Sequence, residues 1–127
     1  MNSCVTHGVR ITVAAKYLPD QSEPSEEKYL FAYEIIIENA GEQTVQLLRR
    51  HWHIRDAEGH VEEVHGDGVV GQTPILAPGQ SFTYTSYCPL KTDYGTMRGE
   101  YEMMRPDGSF FEAKIPSFAL LPQHLLN

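Results

Sequence analysis

The chain predicts an all-β fold, an antiparallel β-sandwich of about seven to eight strands. Three observations carry that prediction. Apolar and polar residues alternate with a period of two through most of the length, as half-buried strands require. Turn-forming residues recur between the alternating runs. No segment sustains a 3.6-residue period with helix caps.

Val5 to Ala15, with Val9, Ile11 and Val13 alternating, supplies a first strand. Pro19 to Glu27 is acidic and contains two prolines, so it reads as a solvated loop. Tyr29 to Asn39 is the clearest strand, with Tyr29, Phe31, Tyr33, Ile35 and Ile37 on one face. Asn39-Ala40-Gly41-Glu42 then turns the chain, with Gly41 free to take positive φ. From Val45 to Asp56, Leu48, Trp52 and Ile54 share one face, and Arg49, His51, His53 and Arg55 share the other. Leu47 falls out of this alternation, which predicts a bulge near Leu47 and Leu48. Asp56 to Gly59 closes a hairpin into a short strand from His60 to Val64.

Gly79 to Cys88 alternates with Phe82, Tyr84, Ser86 and Cys88 on one side, and Gly95 to Arg105 with Met97, Gly99, Tyr101 and Met103. Pro106-Asp107-Gly108 is a turn leading into Phe110 to Ile115. Ile115 to Leu121 reads as a final strand that closes a sheet or, at an edge, pairs with another chain. Tyr17, Tyr87 and Tyr94 read equally as core rim or contact residues, and Pro122 to Asn127 holds at most one helical turn.

At 127 residues the chain is a single domain, 1–127, long enough for a substantial core. A net charge of −7, with no lysine or arginine between Arg55 and Lys91, argues against nucleic acid and anionic membranes as partners. The longest apolar runs fall far short of a membrane span. Met1 to Val5 has neither a basic start nor an apolar core, so the expected location is the cytoplasm. There Cys4 and Cys88 are thiols, too few for a disulfide framework and without metal-ligand spacing.

Two motifs bear on chemistry. Gly66-Asp67-Gly68-Val69-Val70-Gly71 spells the GxGxxG pattern of dinucleotide binders. Such a pattern needs a helix whose N-terminus faces the pyrophosphate. Here Pro74 and Pro78 leave no room for one, and carboxylates crowd the neighbourhood. Gly66, Gly68 and Gly71 therefore read as a structural loop in which Val69 and Val70 enter the core; an anion loop is the alternative. His51 and His53 project from one side of a strand and form a metal pair if a third ligand joins them from Asp56, His60 or His65. The competing reading is an exposed polar face. No catalytic residue is predicted, since no nucleophile elbow or cysteine signature is present, and no cofactor is predicted.

Taken together, the segments resemble the ApaG family over almost the whole chain. The resemblance rests on Tyr29 to Ile35, Val45 to Trp52 and the Gly66–Gly71 triplet with Pro74. It continues through Leu76 to Ser86, Gly95 to Tyr101 and Ile115 to Leu120. Gln72-Thr73-Pro74 departs from the family's usual charged or polar residue followed by Gln-Pro. The resemblance implies a fibronectin type III-like or immunoglobulin-like sandwich and a link to cobalt and magnesium resistance or efflux. It also implies gene neighbours in dinucleoside tetraphosphate breakdown and rRNA adenine dimethylation. Related domains in eukaryotic F-box and DNA-polymerase-interacting proteins look like protein-binding modules, and no catalytic residues carry over. The expectation is thus a non-enzymatic module, monomeric or weakly dimeric, that binds another protein. The alternative is a small-molecule module for a nucleotide polyphosphate (pyrophosphate) or a divalent metal.

Overall fold

A computed structural model describes residues 1–122. Nine strands among them, joined by turns and two single-turn 3₁₀ segments, form two antiparallel sheets. The strands are β1 (Asn2–Thr6), β2 (Val9–Tyr17), β3 (Tyr29–Asn39), β4 (Val45–Asp56), β5 (Val61–Asp67), β6 (Ile75–Leu76), β7 (Ser81–Leu90), β8 (Gly95–Met104) and β9 (Phe110–Leu120). One sheet has the order β1-β2-β3-β7; the other has β5-β4-β8-β9, with β6 pairing the start of β4. The predicted sandwich is therefore present. Among the described residues no helix is long and apolar enough to cross a membrane.

The strand count exceeds the expectation because the first strand is a hairpin and Ile75–Leu76 adds a short strand that the alternation does not predict. His7 and Gly8 both take positive φ and fold β1 back onto β2. The acidic loop after Tyr17 is exposed as expected but contains the two 3₁₀ turns, each begun by a proline. The tail from Ile115 is not a separate strand: β9 runs through it, and Pro116 and Ser117 lie where its register against β8 slips by one residue. Proline is tolerated at such a bulge because no ladder donor is lost. The helical turn expected over Pro122 to Asn127 lies largely outside the described residues.

The inward faces follow the alternation read from the sequence. Phe31, Tyr33, Ile35 and Ile37 of β3 meet Trp52 of β4, Met97, Tyr101 and Met103 of β8, and Phe118 of β9 in one buried cluster. Trp52 packs edge-on against Tyr33 from the opposite sheet, with ring centroids 5.3 Å apart. The Tyr84 and Tyr101 hydroxyls hydrogen-bond across the sandwich, and burial pushes both phenols above their ordinary range.

The bulge on β4 is present, but the residue that enters the core differs from the expectation. Leu47 is fully buried opposite Met103, whereas Leu48 is the extra residue, half-buried. Beyond it Arg50, Trp52 and Ile54 face inward, while Arg49, His51 and His53 face out. Gly41 also departs from expectation, since its φ is not positive. The close approach constrains Gly8 instead: a Cβ there would lie 2.7 Å from the Gly41 Cα, whereas one at Gly41 would meet nothing nearer than 3.4 Å.

One buried polar side chain ties these connections together. Asn39 donates to the Gln43 and Leu76 carbonyls (2.8 and 2.9 Å), and its Oδ1 accepts the Gly41 N–H at 3.0 Å. Removing it leaves a buried carbonyl without its partner. Asn39→Ala is expected to lower stability by about 2–4 kcal/mol in urea unfolding; a loss under about 0.5 kcal/mol would refute this role.

Candidate functional site

The glycine triplet begins inside β5 rather than after it. The expected strand from His60 to Val64 actually continues to Asp67, and Gly66 pairs with Arg50 across the ladder. Arg50 lies on the inward face, and its guanidinium occupies the space a side chain at Gly66 would fill, 2.5 Å from an ideal Cβ. From there Arg50 Nη1 donates to the carbonyls of Asp67 and Gly68, both at 2.9 Å. The Gly68 N–H donates to the carbonyl of the bulge residue Leu48 at 2.8 Å, and Val69 and Gln72 exchange two N–H bonds. Three N–H groups of the loop are thus used internally, and two of its carbonyls aim at a cation. That polarity is the reverse of a phosphate cradle. No helix follows; the chain enters β6 instead.

Gly68, Val70 and Gly71 take positive φ, while Val69 alone enters the core. The expectation that both valines are buried fails at Val70, which the left-handed turn leaves 54% exposed. The glycines are not equivalent. A Cβ at Gly68 would strike the Gln72 carbonyl oxygen, whereas one at Gly71 meets open space. Gly71→Ala should cost about 1–2 kcal/mol from backbone conformation alone. Gly68→Ala should cost at least twice as much in urea unfolding, and equal losses would contradict the geometry. Titration with pyrophosphate to millimolar concentration should give no calorimetric signal; saturable heat would reinstate the anion reading.

On the outer face, β4 and β5 bring together residues of the second motif. His51 stands opposite His65, and His53 opposite Glu63. The His51 and His65 rings stack with centroids 4.0 Å apart and planes 13° from parallel. His51 Nδ1 lies 2.6 Å from Glu100 Oε1 on β8, and its Nε2 lies 3.1 Å from Glu63 Oε1. His53 Nδ1 approaches the same Glu63 oxygen at 3.4 Å. Lys114 on β9 stands 3.9 Å from Glu100. Of the three residues considered as a third ligand, only His65 reaches His51, and it groups with His51 and Glu63 rather than with His53. Asp56 and His60 face each other instead at the hairpin end, 3.3 Å apart.

Glu63 and Glu100 were not among the sequence candidates. A signal for Glu63 exists: a hairpin folded about Glu58 places residues equidistant from it opposite one another, which sets Glu63 against His53. Glu100 had none, because it arrives through the pairing of β4 with the distant β8.

Burial raises both thiols: Cys88 is pushed up to about 12, and Cys4, whose Sγ donates to the Lys114 carbonyl, rises as well. A thiol whose pKa is raised holds little thiolate at neutral pH. An aromatic disulfide reagent at pH 8 should therefore modify Cys88 only on unfolding; rapid native modification would contradict its burial.

Comparison with known proteins places these features in a family. The family model for the ApaG domain matches residues 19–105. The Protein ApaG of Ralstonia nicotianae is 56% identical over 117 residues, spanning 92% of this chain and 94% of that protein. The Protein ApaG of Brucella canis is 51% identical over 120 residues, 94% of this chain and 92% of that one. A crystal structure of a Bordetella pertussis chain described as ApaA superimposes with a TM-score of 0.87 at 46% identity, covering 95% of both chains. A second structural-genomics X-ray structure gives 0.90 at 42% identity, covering 98% of this chain and 94% of the other.

Proposed function

The chain belongs to the ApaG family, and on that premise we propose that it works as a non-enzymatic, cytoplasmic module that binds another protein. The observation supporting this reading is an asymmetry between the two sides of the sandwich. On one side, β1 covers the edge of β9. Asn2 Nδ2 and Cys4 Sγ donate to the Ser117 and Lys114 carbonyls, and the Lys114 N–H donates to Thr6 Oγ1. Those bonds occupy backbone groups through which a foreign strand would pair.

The other side is open. There β5 and β7 are edge strands, and a cleft of about 720 Å³ lies between them. Tyr29, Leu30, Ile54, Val61, Pro89 and Leu90 give it an apolar floor, and Glu26, Glu27, Asp56 and Glu62 exceed its two lysines in charge. Among the described residues no side chain hydrogen-bonds the outer backbone of Val61 to Gly66. An extended segment with apolar side chains and basic flanks suits this site: it pairs with the edge of β5 and lays its apolar residues into the cleft. Pro89 lacks a donor, which disfavours pairing on β7 and leaves β5 as the receptive edge. In a family linked to cobalt and magnesium resistance or efflux, such a module would act by docking onto a second protein rather than by carrying an ion across a membrane.

Selection of a random peptide library on the purified protein tests this reading. Enriched peptides should combine apolar and basic residues, perturb amide resonances of β5 and the cleft, and lose at least about tenfold in affinity against Val61→Asp. Perturbations confined to the β1 and β9 side, or no enrichment, would count against it.

A further inference from the structure

Among the described residues no strand covers the outer edge of β5, and the residues of that edge specify what fits against it. The Asp56 N–H donates to the His60 carbonyl, and the Gly68 N–H donates to the Leu48 carbonyl. Backbone direction alternates along an antiparallel ladder, so Glu62, Val64 and Gly66 turn their N–H and C=O groups towards β4. Val61, Glu63, His65 and Asp67 turn theirs outward. Two charges on this edge lack an opposite charge. Among the described residues Glu62 makes no ion pair. Nor does Arg50, whose guanidinium fills the space beside Gly66 and bonds only to carbonyls.

We propose that this edge pairs with the same edge of a second copy, antiparallel about a twofold axis at Val64. Symmetry and charge together select that register. Outward-turned residues must oppose outward-turned residues to exchange ladder bonds, so the axis passes through a residue rather than between two. An axis at Glu62 or Glu63 sets that carboxylate against its own copy, and an axis at His65 sets Glu63 against Asp67. Like charges directly opposite destabilise a strand pair. Axes nearer either end of β5 leave only its last residues paired. The axis at Val64 sets Glu63 against His65 of the second copy, Glu62 against Gly66 and Val61 against Asp67. Each Glu63–His65 pair exchanges both ladder bonds and brings a carboxylate beside an imidazole on the outer face. Glu62 meets a glycine whose side-chain space holds Arg50, so each copy's free carboxylate faces the other's free guanidinium. Val64, partly buried against the core, meets its own copy and extends the apolar contact across the axis. Asp67 already has Arg49 at 3.5 Å, which lets it lie opposite Val61.

This pairing goes beyond the docking reading and stands without it. A second copy and a docked segment use the same edge, so the dimer covers the edge until a segment displaces it. An interface one strand wide belongs with weak, transient contacts.

Sedimentation equilibrium of the full chain tests the proposal, with a dissociation constant of roughly 0.1 mM expected. Glu63→Lys should weaken association at least about tenfold. The double variant Glu63→Lys, His65→Glu exchanges the two partners and should return to within about threefold of the original, a recovery that general damage to the fold would not give. Oxidation in a Cys4→Ser background reads the register. Opposed residues of an antiparallel pair have Cα atoms about 4.5–5.5 Å apart, within disulfide range. Val64→Cys should therefore cross-link to itself, while Val61→Cys and Asp67→Cys should cross-link when mixed and not alone. No concentration-dependent association up to about 2 mM would overturn the proposal. So would association that Glu63→Lys leaves intact, a charge exchange that restores nothing, or cross-linking of Val61→Cys alone as fast as Val64→Cys.

Discussion

A single extra residue on β4 governs the arrangement of the molecule around it. Strand side chains alternate with a period of two, so inserting one residue exchanges the two faces beyond it. Leu48 is that insertion. Val45 and Leu47 face the core before it, and Trp52 and Ile54 face the core after it. The same shift turns Arg50 inward and sends His51 and His53 out. The bulge also frees the Leu48 carbonyl to accept the Gly68 N–H. Core, glycine loop and histidine face therefore share one local irregularity.

Arg50 links the first two of these. An inward guanidinium at the edge of an apolar core requires acceptors, because an unpaired buried donor is costly. The carbonyls of Asp67 and Gly68 supply them, and the absence of a side chain at Gly66 makes the space. The motif that resembles a nucleotide fingerprint is in this fold the receptacle for an arginine of the neighbouring strand. Its glycines answer to three different constraints: room for Arg50, a close approach to Gln72, and a left-handed turn. Dinucleotide binders reach the same spacing through other constraints.

The sandwich manages its edges unequally. A free strand edge invites pairing with other chains unless covered. The hairpin of β1 and β2 covers one side with three short hydrogen bonds, while β5 and β7 leave the other open above an apolar cleft. The alternation alone does not show which edge is covered. The tail after Ile115 reads as a strand that either closes a sheet or recruits a partner. Which holds depends on whether β1 reaches it, and Val5 to Ala15 reads as one strand because Val9, Ile11 and Val13 carry the alternation past the turn. The signal for that hairpin was His7-Gly8, a short pair able to take positive φ.

Features that depend on neighbours along the chain can be read directly from the residues. The alternation in Tyr29 to Asn39 set both limits and the buried face of β3, and the break at Leu47 and Leu48 announced the bulge. His51 and His53 were bound to share a side because residues two apart on a strand always do. Which strands lie side by side is a property of the folded chain. Pairing β8 against β4 delivered Glu100 to His51, and pairing β5 against β4 put Gly66 beneath Arg50. Alternation fixes the face on which a side chain appears but carries no information about which distant strand will lie next to it, and the chemistry of both sites is made between strands.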